Sequence, residues 1–135
     1  MPKIDAAKLW SLNHHLLMST IASVAADLGE LGLEVKELFV LAEVDEHPFP
    51  AELAAALLMP KPTMTVYVKR LEASGLLRRE IDAADLRRHR LQLTATGRRT
   101  MQQGMGLLAD AFAARLGRLS AAEQNQLRAL IEKLS

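Results

Sequence analysis

The sequence predicts a mainly α-helical single domain, residues 1–135, that contains one two-stranded β-hairpin. Half of the 135 residues are apolar, which suffices for one hydrophobic core. Only 4% are aromatic, so the core consists mostly of aliphatic residues, many of them strong helix formers. Apolar residues recur at helical spacing along most of the chain, and one short region alternates apolar with polar residues instead.

Two helices are predicted in the first third of the chain. The first covers about Ile4–Leu28, because its apolar residues recur at intervals of three, four and seven. Gly29 and Gly32 are expected to end it. The second helix begins at Val35, and it ends before the segment 45–50, which contains two prolines.

Two further helices flank a tight turn. Pro50 suits the first turn of the third helix, which is predicted over Ala51–Leu58. The turn over residues 59–62 is too short for a domain linker. Gly75 is expected to end the fourth helix. Its predicted buried stripe has helical spacing and consists of Met64, Tyr67, Val68 and Leu71.

The alternating region predicts a hairpin with strands at Leu77–Ile81 and Arg90–Thr94, joined by a polar segment. Helical spacing then returns. Thr94 is expected to cap the fifth helix. Ser120 and Glu123 have the spacing of a capping box at the start of a sixth helix.

The positive charge of the chain is concentrated in residues 61–99, which we call the basic segment. The formal net charge is only +1, yet this segment holds ten Lys and Arg residues against four acidic ones. Such a concentration suits contact with phosphates, and a solvated charged face is the alternative.

The third and fourth helices with the following hairpin predict a mainly α fold with a two-stranded β wing, a winged helix-turn-helix. The basic segment covers the fourth helix and the hairpin, which favours double-stranded DNA as the partner. On the fourth helix, Thr63, Thr65 and Val66 suit contacts to base edges. Lys69 and Arg70 suit phosphates. For each of them the alternative is an ordinary exposed helix residue.

A set of motif residues runs through this region: Leu53-Ala54, Thr63-Met64-Thr65, Val68, Leu71-Glu72, Gly75-Leu76-Leu77, Arg79, Asp82, Asp85-Leu86-Arg87-Arg88, Leu93-Thr94 and Gly97. With these residues the chain resembles the MarR family of winged helix-turn-helix transcriptional regulators. The motif similarity covers residues 53–97, and the helix order extends it over the whole chain. Its most specific part is Asp-x-Arg with Leu-Thr eight residues after the Asp.

The resemblance implies that Asp85 orients Arg87 and that Arg87 enters the minor groove, where a narrow groove attracts cations. Two positions depart from the family pattern. Leu86 stands where the family often has a second Arg, which is expected to reduce wing affinity. Phe49 replaces the usual Ser or Thr before the third helix, which removes a side-chain cap.

The resemblance also implies a homodimer. Helices in residues 1–32 and 100–135 would hold the dimer together, and residues 33–99 would form the DNA-binding lobe. Residues 9–26 lack any charged side chain, and small and polar residues form a stripe along this helix. Packing against a partner helix explains this stretch better than a membrane span, because seven polar groups in hydrocarbon would be costly.

One face of the first helix is a candidate effector site. Trp10, His14 and Met18 are spaced by four, so a ring, a titratable donor and an adaptable apolar group lie side by side. Such a face suits a small aromatic or amphipathic anion bound between this helix and the DNA-binding lobe. The alternative is that these residues belong to the dimer core.

Several other classes of protein are disfavoured. The chain has no cysteine, so disulfides, Cys-ligated zinc and thiol chemistry are excluded. Its four histidines lack the spacing of a metal site, and no motif of an enzyme or a cofactor site is present. We therefore expect no enzyme activity, cofactor or metal. No signal peptide is recognised, so a cytoplasmic protein is expected.

The sequence as a whole predicts a homodimeric DNA-binding transcriptional regulator, a repressor that a small-molecule effector releases from DNA. One alternative is a winged-helix protein-interaction module without DNA binding. The basic wing residues Arg87, Arg88 and Arg90, all of which are expected to contact DNA, disfavour it. A small ligand-binding protein is the other alternative, and only the uncharged first helix supports it.

Overall fold

The computed structural model describes residues 3–135 and contains six helices and two strands in the predicted order. The elements are α1 Ala6–Glu30, α2 Val35–Glu43, α3 Pro50–Ala56, α4 Lys61–Ala73, β1 Leu77–Ile81, β2 His89–Leu93, α5 Ala95–Leu116 and α6 Ala121–Leu134. The predicted fold class is confirmed.

The chain divides into two compact units. The terminal unit comprises Met1–Val24 and Leu107–Ser135, and the central unit comprises Ala25–Gly106. The long helices α1 and α5 each contribute residues to both units. The central unit contains the largest fully buried side chains of the described residues, which are Leu28, Leu38, Leu41, Leu53, Met64, Leu71 and Leu91.

The end of α1 differs from the prediction at one glycine. Gly29 lies inside the helix, which continues to Glu30. Gly32 instead supplies the turn, because its φ of 77° lies in the left-handed region that favours glycine. The Leu33 amide then donates to the Leu28 carbonyl at 3.0 Å, which closes the helix end.

The turn between α3 and α4 also differs in its boundaries. Helix α3 ends at Ala56 and not at Leu58, whose φ of 54° is left-handed. That conformation is strained for a branched side chain, and this side chain is 93% exposed. Pro62 belongs to the first turn of α4, where a missing amide hydrogen has no consequence.

Strands β1 and β2 pair antiparallel and form the predicted wing. The register runs from the pair Leu77 and Leu93 to the pair Ile81 and His89, so β2 begins and ends one residue earlier than expected. Thr94 leaves the strand and caps α5, since its hydroxyl accepts a hydrogen bond from the Gly97 amide at 2.9 Å. The predicted cap is confirmed.

The capping box at α6 is confirmed as well. Ser120 accepts from the Glu123 amide at 3.2 Å, and the Glu123 carboxylate accepts from the Ser120 amide at 2.9 Å. Hydrogen bonding of the Glu123 carboxylate to the Ser120 backbone, and next to the Ser120 side chain, lowers the pKa of Glu123. The negative charge of Glu123 also lies at the positive end of the helix dipole.

Among residues 3–135, no single helix is both long and apolar enough to cross a membrane. The bent pair α1 and α2 meets the length and composition criterion only when the two are taken together.

Gly104 is one of two buried glycines of α5, and it lies where the helix packs against leucines of the central core. A Cβ at this position would lie 2.7 Å from Leu38 Cδ1 and 3.3 Å from Leu28 Cδ2, and both leucines are fully buried. Gly106, two residues later, is exposed and has no such neighbour within 4 Å. Gly104 and Gly106 therefore have different roles, although the sequence pattern treats them alike.

We predict opposite effects for alanine at these two positions. Gly104→Ala overpacks the core, and the net effect lowers the free energy of unfolding by about 1 kcal/mol. Gly106→Ala raises it by about 0.5–1 kcal/mol, because alanine favours the helix. Urea unfolding of both variants at one protein concentration measures the difference. Equal changes in the same direction would show that the close approach at Gly104 does not constrain α5.

Candidate nucleic-acid interface

Helix α4 has one buried and one exposed face. Met64, Val68 and Leu71 are buried as predicted. The Thr65, Val66 and Lys69 side chains are exposed, and Thr63 is half-buried. The Thr65 hydroxyl donates to the Lys61 carbonyl at 3.0 Å, a contact within the helix that DNA can replace. The first two turns of α4 thus present hydroxyl, methyl and ammonium groups to solvent.

Tyr67 differs from the predicted buried stripe, since it is only half-buried. Its hydroxyl donates to Glu34 Oε2 at 3.4 Å. Arg70 reaches the same carboxylate, with Nη1 3.4 Å from Glu34 Oε1, and its guanidinium lies 5.5 Å from the Tyr67 ring centroid. Arg70 is thus held towards the N-terminus of α2, and its role as a phosphate contact stays a prediction.

Arg87 lies in the loop at the tip of the wing, and its side chain is 91% exposed. The Asp85 carboxylate accepts two hydrogen bonds from it, one from the backbone amide at 3.0 Å and one from Nε at 3.3 Å. This aspartate therefore holds the base of the arginine and leaves its terminal nitrogens free for a ligand. Such an arrangement is what a groove-inserting cation requires.

The same hydrogen bonds set the charge state of Asp85. Donation from the Arg87 backbone, then from its side chain, lowers the pKa of the Asp85 carboxyl. Because the pKa is lowered in the folded state, the contact is fully present above the unfolded pKa and is lost as the pH falls through the folded one. The Asp85 carboxylate is therefore ionised at neutral pH.

The other two predicted wing cations lie beside an aromatic ring. The Arg88 guanidinium carbon is 3.5 Å from the Phe49 ring centroid, and Arg88 Nη2 is 3.3 Å from Glu52 Oε1. The Arg90 guanidinium carbon is 6.0 Å from the same ring. Sequence reasoning did not predict these contacts. The one available signal was the aromatic residue at the capping position.

Two further contacts connect the wing to the helices. The Leu91 amide donates to the Pro48 carbonyl at 2.7 Å, and the Leu91 side chain is 1% exposed. On the other strand, Arg79 Nε donates to Glu72 Oε1 of α4 at 2.8 Å. The wing therefore keeps a fixed position relative to α4 within the central unit.

The predicted effector residues are open to solvent. The Trp10 and His14 rings stack, with centroids 6.4 Å apart and planes at 22°. Trp10 is 68% exposed and Met18 is exposed as well. The predicted adjacency of the ring and the imidazole is thus present on α1, while the effector role stays a prediction.

One group of possible metal ligands occurs in the described part of the chain. One ligand atom from each of Glu43, Glu46 and His47 lies within 4.8 Å of the others, at the end of α2. This cluster was not predicted, although the three residues have helical spacing. The three groups supply at most three ligands and are partly or fully exposed, so they do not form the closed four-ligand site of a structural zinc.

Comparison with known proteins agrees with this geometry. A model of the MarR family matches residues 31–88. Over 82 residues the chain is 38% identical to the transcriptional regulator HosA of Escherichia coli, and the match covers 61% of either chain, less than two thirds of HosA. Over 113 residues it is 30% identical to the HTH-type transcriptional repressor Rv2887 of Mycobacterium tuberculosis, and this match covers 82% of our chain and 81% of Rv2887.

Solved structures of Rv2887 resemble the whole fold. The complex of Rv2887 with DNA has a TM-score of 0.78 at 28% identity, and the match covers 94% of our chain and 97% of Rv2887. The complex with salicylic acid has a TM-score of 0.78 at 28% identity and covers 97% and 98% of the two chains. On sequence and fold together, the chain belongs to the MarR family.

Proposed function

We propose that the chain is a homodimeric, sequence-specific double-stranded DNA-binding transcriptional regulator, a repressor that a small-molecule effector releases from DNA. The observation that carries the proposal is the exposed Arg87 guanidinium, held at the wing tip by Asp85. The exposed first turns of α4 belong to the same compact unit. A cation for the minor groove and a helix for the major groove are therefore presented by one compact unit.

The charges of the lobe favour DNA over a protein partner. Lys61 and Lys69 on α4 are exposed, and neither forms an ion pair with any residue in 3–135. Such free ammonium groups suit phosphates on either side of a groove. The complex of the relative Rv2887 with DNA supports the same assignment. In this proposal the protein acts in the cytoplasm and has no enzymatic role.

Exposed apolar side chains of the terminal unit support the homodimer. Apart from the Trp10 and Met18 face of α1, which is considered below for the effector, they are Leu9, Leu12 and Leu17 on α1 and Leu130, Ile131 and Leu134 on α6. Helices α5 and α6 also flank an apolar groove of about 240 Å³. Apolar surface of this extent marks an interaction face. A second copy would cover it, with residues 1–32 and 100–135 as the dimerisation helices and 33–99 as the DNA-binding lobe.

Two observations support the proposed effector: a structure of the relative Rv2887 and one face of α1. Rv2887 has been solved with salicylic acid, a small aromatic anion. The stacked Trp10 and His14 rings, with Met18 one turn further along, offer an aromatic surface and a donor for a carboxylate. Such a ligand beside α1 would change the spacing of two recognition helices, which must match half-sites about 34–36 Å apart.

Arg87→Ala is expected to weaken operator binding by about 1–3 kcal/mol per wing without affecting the fold, because the side chain is exposed. For about six phosphate contacts per wild-type dimer, log affinity should fall with log salt with a slope near −5. Fluorescence anisotropy with a bound genomic fragment at several salt concentrations measures both quantities.

The control for this variant is Arg118→Ala, which removes an exposed arginine of the α5–α6 turn outside the basic segment. Its affinity and salt slope should equal those of the wild type. If Arg87→Ala and Arg118→Ala lower operator affinity equally, the effect of Arg87 comes from its charge alone and not from its position in the wing. Operator affinity of the wild type that does not depend on salt would contradict DNA binding.

The homodimer predicts that Ile131→Glu dissociates the protein at micromolar concentration, because a buried unpaired carboxylate at the interface is costly. The control is Asn125→Asp, which adds a carboxylate at an exposed position of α6 that does not line the groove. Sedimentation equilibrium measures the mass. A monomeric wild type, or a dimer that tolerates Ile131→Glu, would be inconsistent with the proposed interface.

Effector binding predicts a change in tryptophan emission, since Trp10 is the only tryptophan. Salicylic acid should shift this emission and lower operator affinity, and His14→Ala should reduce both responses. Salicylamide is the control, because it keeps the ring and lacks the carboxylate. If emission and operator affinity stay constant up to millimolar salicylic acid, the α1 face does not bind this class of anion.

A further inference from the structure

Phe49 occupies the N-cap position of α3 and cannot act as a cap. Its side chain makes no capping hydrogen bond, whereas a Ser or Thr there accepts one from the helix. Pro50 follows at the helix start, and Glu52 places a carboxylate in the first turn, where the helix dipole favours it. The helix start is thus stabilised by its neighbours, and the Phe49 ring is free for another contact.

The half-buried Phe49 ring lies directly under the wing. The Arg88 guanidinium carbon is 3.5 Å from the ring centroid, close enough for parallel stacking of the two planar groups. Arg88 Nη2 also reaches Glu52 Oε1 at 3.3 Å. One arginine of the wing is therefore held by an aromatic face and a carboxylate, and both belong to the start of α3.

This arrangement divides the wing cations into two kinds. Within residues 3–135 the Arg87 side chain forms its hydrogen bond and ion pair with Asp85 alone, and it is 91% exposed. The adjacent Arg88 is half as exposed, at 44%, and points to α3. Two consecutive arginines of the same loop thus differ in what they can offer to a ligand.

We infer that Phe49 is a positioning residue for the wing, and that Arg88 fixes the wing to α3 and does not contact DNA. This inference rests on the proposed function, because a fixed wing matters for DNA binding. Among the hydrogen bonds of the loop residues 82–88, the one from Arg88 to Glu52 reaches another element, and the others lie within the loop. The contact between Arg88 and the Phe49 ring holds the part of the wing that leads into β2. The Leu91 hydrogen bond to Pro48 lies next to it, so that Arg87 keeps one direction relative to α4.

The first test uses the free protein, so it does not depend on DNA binding. Phe49→Leu keeps an apolar side chain and removes the ring, and Phe49→Tyr keeps the ring. A cation–π contact changes an opening equilibrium by about 3- to 30-fold. Amide hydrogen exchange at Arg88 and Leu91 should therefore accelerate by that factor in Phe49→Leu and stay unchanged in Phe49→Tyr. Arg88→Leu, at an exposed position, should accelerate it equally.

The second test measures operator binding. Phe49→Leu and Arg88→Leu should each weaken it by about 3- to 30-fold, and the double variant should be no weaker than either single one. Arg88→Leu should leave the salt slope unchanged, because no phosphate contact is lost.

The two tests separate the possible failures. Equal rates of amide hydrogen exchange at these wing positions in the wild type, Phe49→Leu and Arg88→Leu would overturn the positioning role of Phe49. A second contrary result is that Arg88→Leu lowers the salt slope by about one while Phe49→Leu binds DNA as the wild type does. Arg88 would then be a direct phosphate contact, and the positioning role would be overturned as well. If neither the wild type nor any variant binds DNA, the proposed function fails. The amide hydrogen exchange of the free protein still decides the role of Phe49 in that case.

Discussion

The position of the wing depends on Leu91. Its side chain is buried in the central core and its amide donates to the Pro48 carbonyl at 2.7 Å, directly before Phe49. This residue therefore joins the hairpin, whose other buried residue is Leu77 of β1, to the segment that leads into α3. Antiparallel pairing then fixes β1 against β2, and the Arg79 contact to Glu72 fixes β1 against α4. The direction of the wing follows from these connections.

The charges of the basic segment are used in two ways. Several of its arginines form ion pairs inside the chain, and these are Arg70, Arg78, Arg79, Arg87, Arg88 and Arg98. Exposed pairs of this kind add little to stability. Their main effect is to orient side chains and loops, so that the free donors of Arg87 and the ammonium groups on α4 remain for a ligand. Net charge alone does not reveal this division.

Local patterns predicted most of the fold. The order of elements, the Thr94 cap and the Ser120 capping box follow from spacings within a few residues, and all were confirmed. The contacts of the candidate site were harder to predict from the sequence. Asp85 and Arg87 are two residues apart, so their contact is local, whereas Arg88 meets Phe49 across 39 positions.

The different roles of Gly104 and Gly106 were equally hidden, because only the packing against Leu38 and Leu28 distinguishes them. The predicted burial of Tyr67 was wrong for the same kind of reason. Its spacing matches the buried stripe, but the carboxylate of Glu34, brought close by tertiary packing, holds its hydroxyl at the surface. Contacts between distant segments thus account for what the sequence pattern missed.

The chain has no cysteine, so one introduced thiol can be labelled uniquely. The most direct test of the wing and recognition-helix assignment attaches an iron chelate that cleaves nearby DNA to Arg87→Cys, to Thr65→Cys and, as a control, to Arg118→Cys. We predict cleavage in the flanking minor groove from position 87, cleavage within the half-sites from position 65, and none from position 118. The same cleavage pattern from all three positions, or none from position 87, would contradict the assignment.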